Sequence, residues 1–203
     1  MHSTGLLTAG LLLGFASSSA QDQGGAANIA PAPPPISPPR SNPEYYFRHT
    51  FGVSSHIGSF ANAGWNQLRT SPDEWGEGGD GFGKRLASAY ARRFVKNTVD
   101  FGVATFRGEV MEYTRCDCGG WSRVGHAVKY TFLRKSDDGG STLAAGRLAG
   151  AFASGFAANL WYPDSRNSVN HALRRSALCL GLDAGKNVLK EFWPDVKRKF
   201  RRR

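Results

Sequence analysis

Cysteine is scarce in this chain of 203 residues, which contains only Cys116, Cys118 and Cys179. A low and odd number of cysteines excludes a fold held together mainly by disulfides, so stability must come from packing. A bridge between Cys116 and Cys118, only two residues apart, would be strained, and the pair alone makes a poor zinc site. The favoured disulfide therefore joins one of them to Cys179, and free cysteines are the alternative.

Long hydrophobic runs are also missing, since no stretch reaches the roughly 18 apolar residues typical of a transmembrane helix. The N-terminal run Leu6–Phe15 is too short, and small residues follow it up to Ala20. With no Asp, Glu, Lys or Arg among residues 1–20, this pattern predicts a signal peptide cleaved after Ala20. The protein is then exported to the periplasm or cell envelope; the alternative is a retained N-terminal anchor.

Residues 21–42 contain little that could be buried and carry six of the ten prolines. Such a composition predicts a disordered, polyproline-like linker. The remaining chain suits one domain of about 160 residues, because domains typically have about 100–200. We place this helical domain at residues 43–196 and a basic C-terminal tail at residues 197–203.

Convincing strand alternation is absent, whereas apolar residues recur every three or four positions, as in the segment from Lys84 to about Tyr113. The pattern predicts an all-α bundle of four to five helices, the last one ending before Pro194. The core is expected to include large apolar residues: Tyr90, Phe94, Val99, Phe106, Val128, Phe132, Leu160, Leu178, Leu182 and Phe192.

Small residues are spaced four apart in two of the predicted helices. One row comprises Gly146, Gly150, Ser154 and Ala158, and the other comprises Ala177, Gly181 and Gly185. In lipid, this spacing lets helix backbones approach closely, which favours a membrane-associated bundle. Close packing inside a water-soluble bundle is the alternative.

Acidic residues are too few to balance the basic ones, so the formal net charge is +10. The basic excess is concentrated in the tail, at Lys197, Arg198, Lys199, Arg201, Arg202 and Arg203. For an exported protein this predicts contact with anionic phospholipid or lipopolysaccharide, at about 1 kcal/mol per base, or with an envelope protein. A solvated tail is the alternative, and no nucleic acid partner is expected.

Catalytic motifs are missing as well. The glycine-rich stretch 76–85 resembles a nucleotide-binding loop, but no strand precedes it and Arg85 occupies the position where magnesium binding needs Ser or Thr. The acidic loop 73–80 lacks the spacing of an EF-hand calcium site. We therefore assign no catalytic, cofactor-binding or metal-binding residue. The alternative is a hydrolase that uses His126 or His171 together with the acidic loop.

Three motifs carry a resemblance to a known group of proteins. WGEGGDGFGKR begins at Trp75, ANLWYPDSRNS at Ala158 and NVLKEFWPDVKRK at Asn187. They are similar to an uncharacterised family of exported bacterial proteins with a signal peptide, a proline-rich linker and a helical domain. The resemblance would cover roughly residues 42–199 and implies architecture only. The segment around Cys116 and Cys118 departs from the family pattern.

Together these features predict a non-enzymatic, exported cell-envelope protein that associates with a membrane or another anionic surface. A soluble periplasmic interaction module is the alternative to the membrane-associated form. The sequence does not indicate an oligomeric state or a specific ligand.

The predicted signal peptide gives the first test. Mass spectrometry of the cell-envelope fraction should find a mature protein that begins at Gln21. An intact Met1 in that fraction would contradict cleavage after Ala20.

Overall fold

The computed structural model describes residues 43–201, which form a helical bundle. The all-α class predicted from the sequence is confirmed. The predicted signal peptide (residues 1–20), the proline-rich linker (residues 21–42), Arg202 and Arg203 lie outside the described residues. The helices are α1 (Pro43–Phe51), α2 (Val53–Leu68), α3 (Gly78–Arg107), α4 (Ser122–Phe132), α5 (Ala145–Ala157) and α6 (Val169–Arg201).

The first two helices are nearly continuous. Pro43 opens α1, as expected for a residue that lacks a backbone donor and has a pre-set φ angle. Gly52 then interrupts the helical path with extended backbone (φ −73°, ψ 165°), and α2 begins at Val53. The break lets both helices pack against α3.

A short antiparallel hairpin, β1 (Leu133–Lys135) and β2 (Ser141–Leu143), separates α4 from α5. Its turn includes Gly139 at φ +85°, a conformation that L side chains rarely adopt. The sequence analysis missed this hairpin because strands of three residues are too short to show alternation. The turn between the two strands was expected from Ser136–Gly140, which is rich in Asp and Gly.

The centre of the bundle is the contact between α3 and α5, the most extensive helix pair in the described part of the chain. At Gly146, an added Cβ would lie 2.7 Å from the backbone oxygen of Asp100. At Gly150, it would lie 3.2 Å from the backbone nitrogen of Asp100 and closer still to the carbonyl oxygen of Lys96. The backbones of the two helices are therefore too close to admit larger side chains.

The interior differs from the predicted core. None of the ten large apolar residues proposed for it is buried: Tyr90, Val99 and Phe192 are half-buried, and the others are exposed, namely Phe94, Phe106, Val128, Phe132, Leu160, Leu178 and Leu182. The buried apolar residues are mostly alanines, with Val110 and Met111. The prediction was wrong because the closely spaced helices leave room only for small side chains on their facing sides.

The last helix does not end before Pro194, as the sequence predicted, but continues to Arg201. Proline removes one helical hydrogen bond, so the helix needs support at this point. Arg123 provides this support on both sides of Pro194. Its guanidinium donates a hydrogen bond to the carbonyl oxygen of Glu191 and forms an ion pair of 2.5 Å with Asp195. The described part of the predicted basic tail, residues 197–201, is thus helical.

Two glycine-to-alanine variants test the close approach of α3 and α5. Gly150→Ala should lower the free energy of unfolding by about 1–3 kcal/mol, because its Cβ overlaps the α3 backbone. Gly181→Ala is the matched control: it lies within α6, where an added Cβ meets nothing within 4 Å. There the higher helix propensity of Ala should raise stability by about 0.5–1 kcal/mol. Thermal unfolding followed by circular dichroism measures both, and equal shifts would contradict the packing.

Candidate functional site

The large apolar side chains of this bundle face outward. On α2, the exposed set is Val53, Ile57, Phe60, Trp65 and Leu68. On α5 and α6, it includes Phe152, Phe156, Leu178, Leu182, Leu189 and Trp193. The spacing is that of one helix face, and the opposite face of each helix, with its small and polar residues, is buried. A water-soluble domain normally shows the reverse, and extensive apolar exposure marks an interaction surface.

The exposed surface in the middle of the bundle also carries no formal charge from carboxylates, lysines or arginines. We name this surface the uncharged belt: the exposed residues of α2, of residues 86–106 in α3, of α5, and of residues 175–185 in α6. Every Asp, Lys and Arg within these ranges is buried or half-buried.

The exposed charges of the described residues lie outside the belt ranges. Near the N-terminal end of α3 they are Arg69, Asp73, Glu74, Glu77, Asp80 and Lys84, and before residue 175 of α6 they are Asp164 and Arg174. Elsewhere they are Glu44, Arg48, Arg107, Glu112, Arg115, Asp117, Lys129, Lys135, Asp137, Asp138 and, in α6, Lys186, Lys190, Asp195, Lys197, Arg198, Lys199 and Arg201. Exposed apolar residues also occur outside the belt, as Trp121, Leu160 and Phe200 show.

Some of the charged side chains within the belt ranges form ion pairs inside the bundle. Lys96 on α3 and Asp183 on α6 form an ion pair of 2.9 Å, with side chains only 14% and 12% exposed. Burial opposes the charge on both groups, but their mutual attraction prevails. It raises the pKa of Lys96 and lowers that of Asp183 to about 2. Both groups are therefore charged at neutral pH.

A second buried cluster joins α3 to the hairpin and to the start of α5. Arg134 donates to both carboxylate oxygens of Asp100, at 2.5 and 2.8 Å, and lies 3.4 Å from Glu109. Glu109 also accepts hydrogen bonds from the backbone N–H groups of Ala145 and Gly146, at 3.0 and 3.1 Å. These N–H groups belong to the first turn of α5 and have no partner within the helix, so the carboxylate completes that helix end.

A third cluster surrounds Glu191, which is completely buried. Its Oε1 accepts hydrogen bonds from the Tyr113 hydroxyl at 2.5 Å and the Cys116 N–H at 3.0 Å, and lies 3.1 Å from Nδ1 of His126. Burial raises the pKa of Glu191, but these hydrogen bonds outweigh it, so the pKa lies below its ordinary value. Burial and the neighbouring Glu191 raise the pKa of Tyr113. The carboxylate thereby ties α4 and the segment after α3 to α6.

The first row of small residues lies where the helices meet. Gly146, Gly150, Ser154 and Ala158 are all buried, and the first two contact α3. The second row, Ala177, Gly181 and Gly185, was assigned to helix packing incorrectly, because all three are exposed. The buried face of α6 instead carries Ala172, Ser176, Asp183, Asn187 and Glu191, which lie on the opposite side of the helix.

The cysteine prediction also needs correction. The disulfide joins Cys116 to Cys118, with Cα atoms 5.2 Å apart, and Cys179 is free. A bridge to Cys179 is not formed because Cys179 lies on α6 near the Lys96–Asp183 pair, whereas Cys116 contacts Glu191, three helical turns further along. Burial raises the pKa of the Cys179 thiol, so its thiolate is disfavoured.

The hydrolase alternative required a histidine and the acidic loop to converge. His126 contacts Glu191 and Tyr113, while His171 contacts Ser168. The loop carboxylates have other partners: Glu74 accepts from Ser165, Glu77 from Thr70, and Asp80 pairs with Lys84. In the described part of the chain, no hydrogen bond or ion pair joins the loop to either histidine, so the geometry gives this alternative no support.

Residues 43–201 lack two further features. This part of the chain contains no group of three or more His, Cys, Asp or Glu residues placed to hold a metal ion. Nor does it contain a helix with the length and apolar character needed to cross a membrane.

Comparison with known proteins gives no relative from which an activity could be transferred. No protein-family model, curated protein or solved structure matches the chain. Function must therefore be inferred from the surface and interior described above.

The Lys96–Asp183 pair yields a stability test. Asp183→Asn should destabilise the protein by about 3–5 kcal/mol, because it leaves the Lys96 ammonium buried without its partner. Asp80→Asn is the control, since the Asp80–Lys84 pair is exposed and worth less than about 1 kcal/mol. Denaturant unfolding at pH 7 measures both changes.

The same variant should show a defined pH dependence. The folded-state pKa of Asp183 is about 2, below its ordinary 3.8, so its stabilising effect is complete above about pH 4 and is lost as pH falls towards 2. The stability difference between the parent protein and Asp183→Asn should therefore shrink over this interval. A difference that stays constant from pH 6 to pH 2 would contradict the role of the pair.

Proposed function

We propose that this protein is a non-enzymatic, exported cell-envelope protein that associates with a membrane through its uncharged belt. The observation that carries the proposal is the inverted distribution of its side chains. Large apolar residues lie outside, while paired charges and small residues lie inside. The apolar run Leu6–Phe15 and the small residues that follow it up to Ala20 support export.

The arrangement of the apolar side chains favours lipid over a second copy of the chain. A dimer interface covers one patch on each subunit, typically about 800 Å². Here the exposed apolar residues are distributed over α2, α5 and α6 rather than confined to one patch. A membrane surface extends well beyond the area of one protein interface, so it can contact more than one of these helices at once.

The energetic argument rests on the apolar surface. Complete burial of one large apolar side chain contributes about 1.5–3 kcal/mol. Ile57 is 64% exposed, Leu178 is 68% exposed, and other belt residues have comparable exposure. Even partial burial of several such side chains in lipid exceeds the effect of one basic residue near an anionic surface, about 1 kcal/mol. The belt should therefore provide the main attachment.

The basic end of α6 supplies a weaker, charge-dependent attachment. Lys197, Arg198, Lys199 and Arg201 are all exposed there. Trp193 lies one turn earlier, and the Lys197 ammonium is 5.8 Å from its ring centroid. Adjacent aromatic and basic residues are typical of the membrane–water interface, where cations meet phosphate headgroups.

Fractionation of the expressed protein tests the proposal. We expect the protein in the membrane fraction, retained in 1 M salt and released by detergent, because salt screens charge contacts but not apolar burial. Release by salt alone would mean that the basic end of α6, and not the belt, attaches the protein to the membrane. Recovery in the soluble fraction at low salt would overturn membrane association and favour a soluble interaction module.

A pair of charge substitutions locates the attachment. Ile57→Asp places a carboxylate on the belt, where Ile57 is 64% exposed, and should shift the protein towards the soluble fraction. Leu143→Asp is the matched control, since Leu143 is 52% exposed but belongs to the hairpin outside the belt. Far-UV circular dichroism verifies that both variants fold. Equal retention of the two variants would contradict the role of the belt.

A further inference from the structure

A groove of about 570 Å³ opens between α1, the segment after α3, and α6. Small-molecule sites typically have volumes of about 300–1,000 Å³, so the groove is large enough for a ligand. Three of its walls are built from different parts of the chain: Tyr45, Arg48 and His49 from α1, Glu112, Tyr113 and Arg115 from the segment after α3, and Leu189, Lys190 and Trp193 from α6.

Cations predominate along this groove. Arg48, Arg115 and Lys190 line it together with a single carboxylate, that of Glu112. Within residues 43–201, no ion pair shorter than 4.0 Å includes any of these three cations. Three cationic side chains beside only one carboxylate create a positive potential in the groove. This potential attracts an anion.

Cations in and around the groove also affect the ionisation of two lining residues. Desolvation, followed by repulsion from Arg147 and Lys186, which do not line the groove, lowers the pKa of Lys190. Burial and the cations around His49, with Lys190 the strongest, lower the pKa of His49 to about 4. A bound anion would offset the repulsion among these groups, and the neutral imidazole could still donate a hydrogen bond to it.

The groove also opens onto apolar surface. Leu189 and Trp193 line it and are 67% and 55% exposed. They continue the outward row formed by Leu178 and Leu182, at helical steps of four and seven residues. A ligand that enters the groove with an anionic group can therefore lay an apolar portion along α6.

We propose that the groove binds the phosphate headgroup of an anionic phospholipid, while the acyl chains of that lipid lie along the apolar row of α6. The cations bind the phosphate of the headgroup. Leu189 and Trp193 continue the apolar surface of the belt, so a ligand with acyl chains fits the site better than a free anion does. This inference rests on the proposed membrane association and adds a specific lipid site to it.

Isothermal titration calorimetry of the full-length protein tests the site with three probes: dihexanoyl phosphatidic acid below its micelle concentration, dihexanoyl phosphatidylcholine, and inorganic phosphate. We expect phosphatidic acid to bind at least tenfold more tightly than either of the others. Equal affinity for inorganic phosphate would overturn the lipid assignment, and equal affinity for phosphatidylcholine would overturn the selection for anionic headgroups.

Two lysine-to-methionine variants test whether phosphatidic acid binds in the groove. Lys190→Met should weaken phosphatidic acid binding by roughly tenfold, the effect of losing one charge-assisted contact. Lys135→Met, an exposed lysine on β1 that does not line the groove, should leave the affinity unchanged. Equal losses in both variants would overturn the location. If phosphatidic acid does not bind while the parent protein still requires detergent for release from membranes, the lipid site is wrong but membrane association stands.

Discussion

The close approach of α3 and α5 is the constraint on which the rest of the structure depends. Gly146 and Gly150 let the α5 backbone touch that of α3, where even a methyl group would overlap backbone atoms. At such a separation most facing positions hold Gly, Ala or Ser, such as Ala104, Ala151 and Ser154, and the buried Asp100 is paired with Arg134. The larger apolar side chains of these helices must then lie on the outer faces, so the inversion of the bundle follows from its narrow interior.

A narrow interior cannot gain its stability from large apolar side chains, and polar contacts therefore connect its helices. Arg147 on α5 donates to the carbonyl oxygens of Tyr130 and Thr131, at 2.8 and 2.9 Å, and Asn187 on α6 donates to the Thr131 hydroxyl at 3.1 Å. Each contact satisfies a group whose isolated burial would be costly. Such contacts are directional, so they favour one arrangement of the helices, whereas alanine contacts alone would tolerate several.

The sequence predicted the helical class and the spacing of residues along each helix, but not which face is buried. Periodicity shows that Leu178 and Leu182 share a face, and the choice of the buried face rested on the usual preference of large apolar residues for the core. That preference fails on α6 because its backbone meets α5 at Gly155, where an added Cβ would lie 2.7 Å from the carbonyl oxygen of Ala172. Such an approach cannot be read from one helix alone. The row from Gly146 to Ala158 lies on the buried face of its helix. The similar row from Ala177 to Gly185 lies on the outer face, and the four-residue spacing alone does not distinguish the two.

The inversion also divides the positive charge of the chain into two parts with different roles. Arg85 is 2% exposed and donates to the carbonyl oxygens of Ser71, Pro72 and Gly76, while Arg134 is 5% exposed and pairs with Asp100. Such groups neutralise or cap the interior and contribute little to the field outside. The exposed cations lie beyond the belt, chiefly at the end of α6. Apolar attachment and electrostatic attachment therefore occupy different parts of the surface, which is why salt and detergent should separate them.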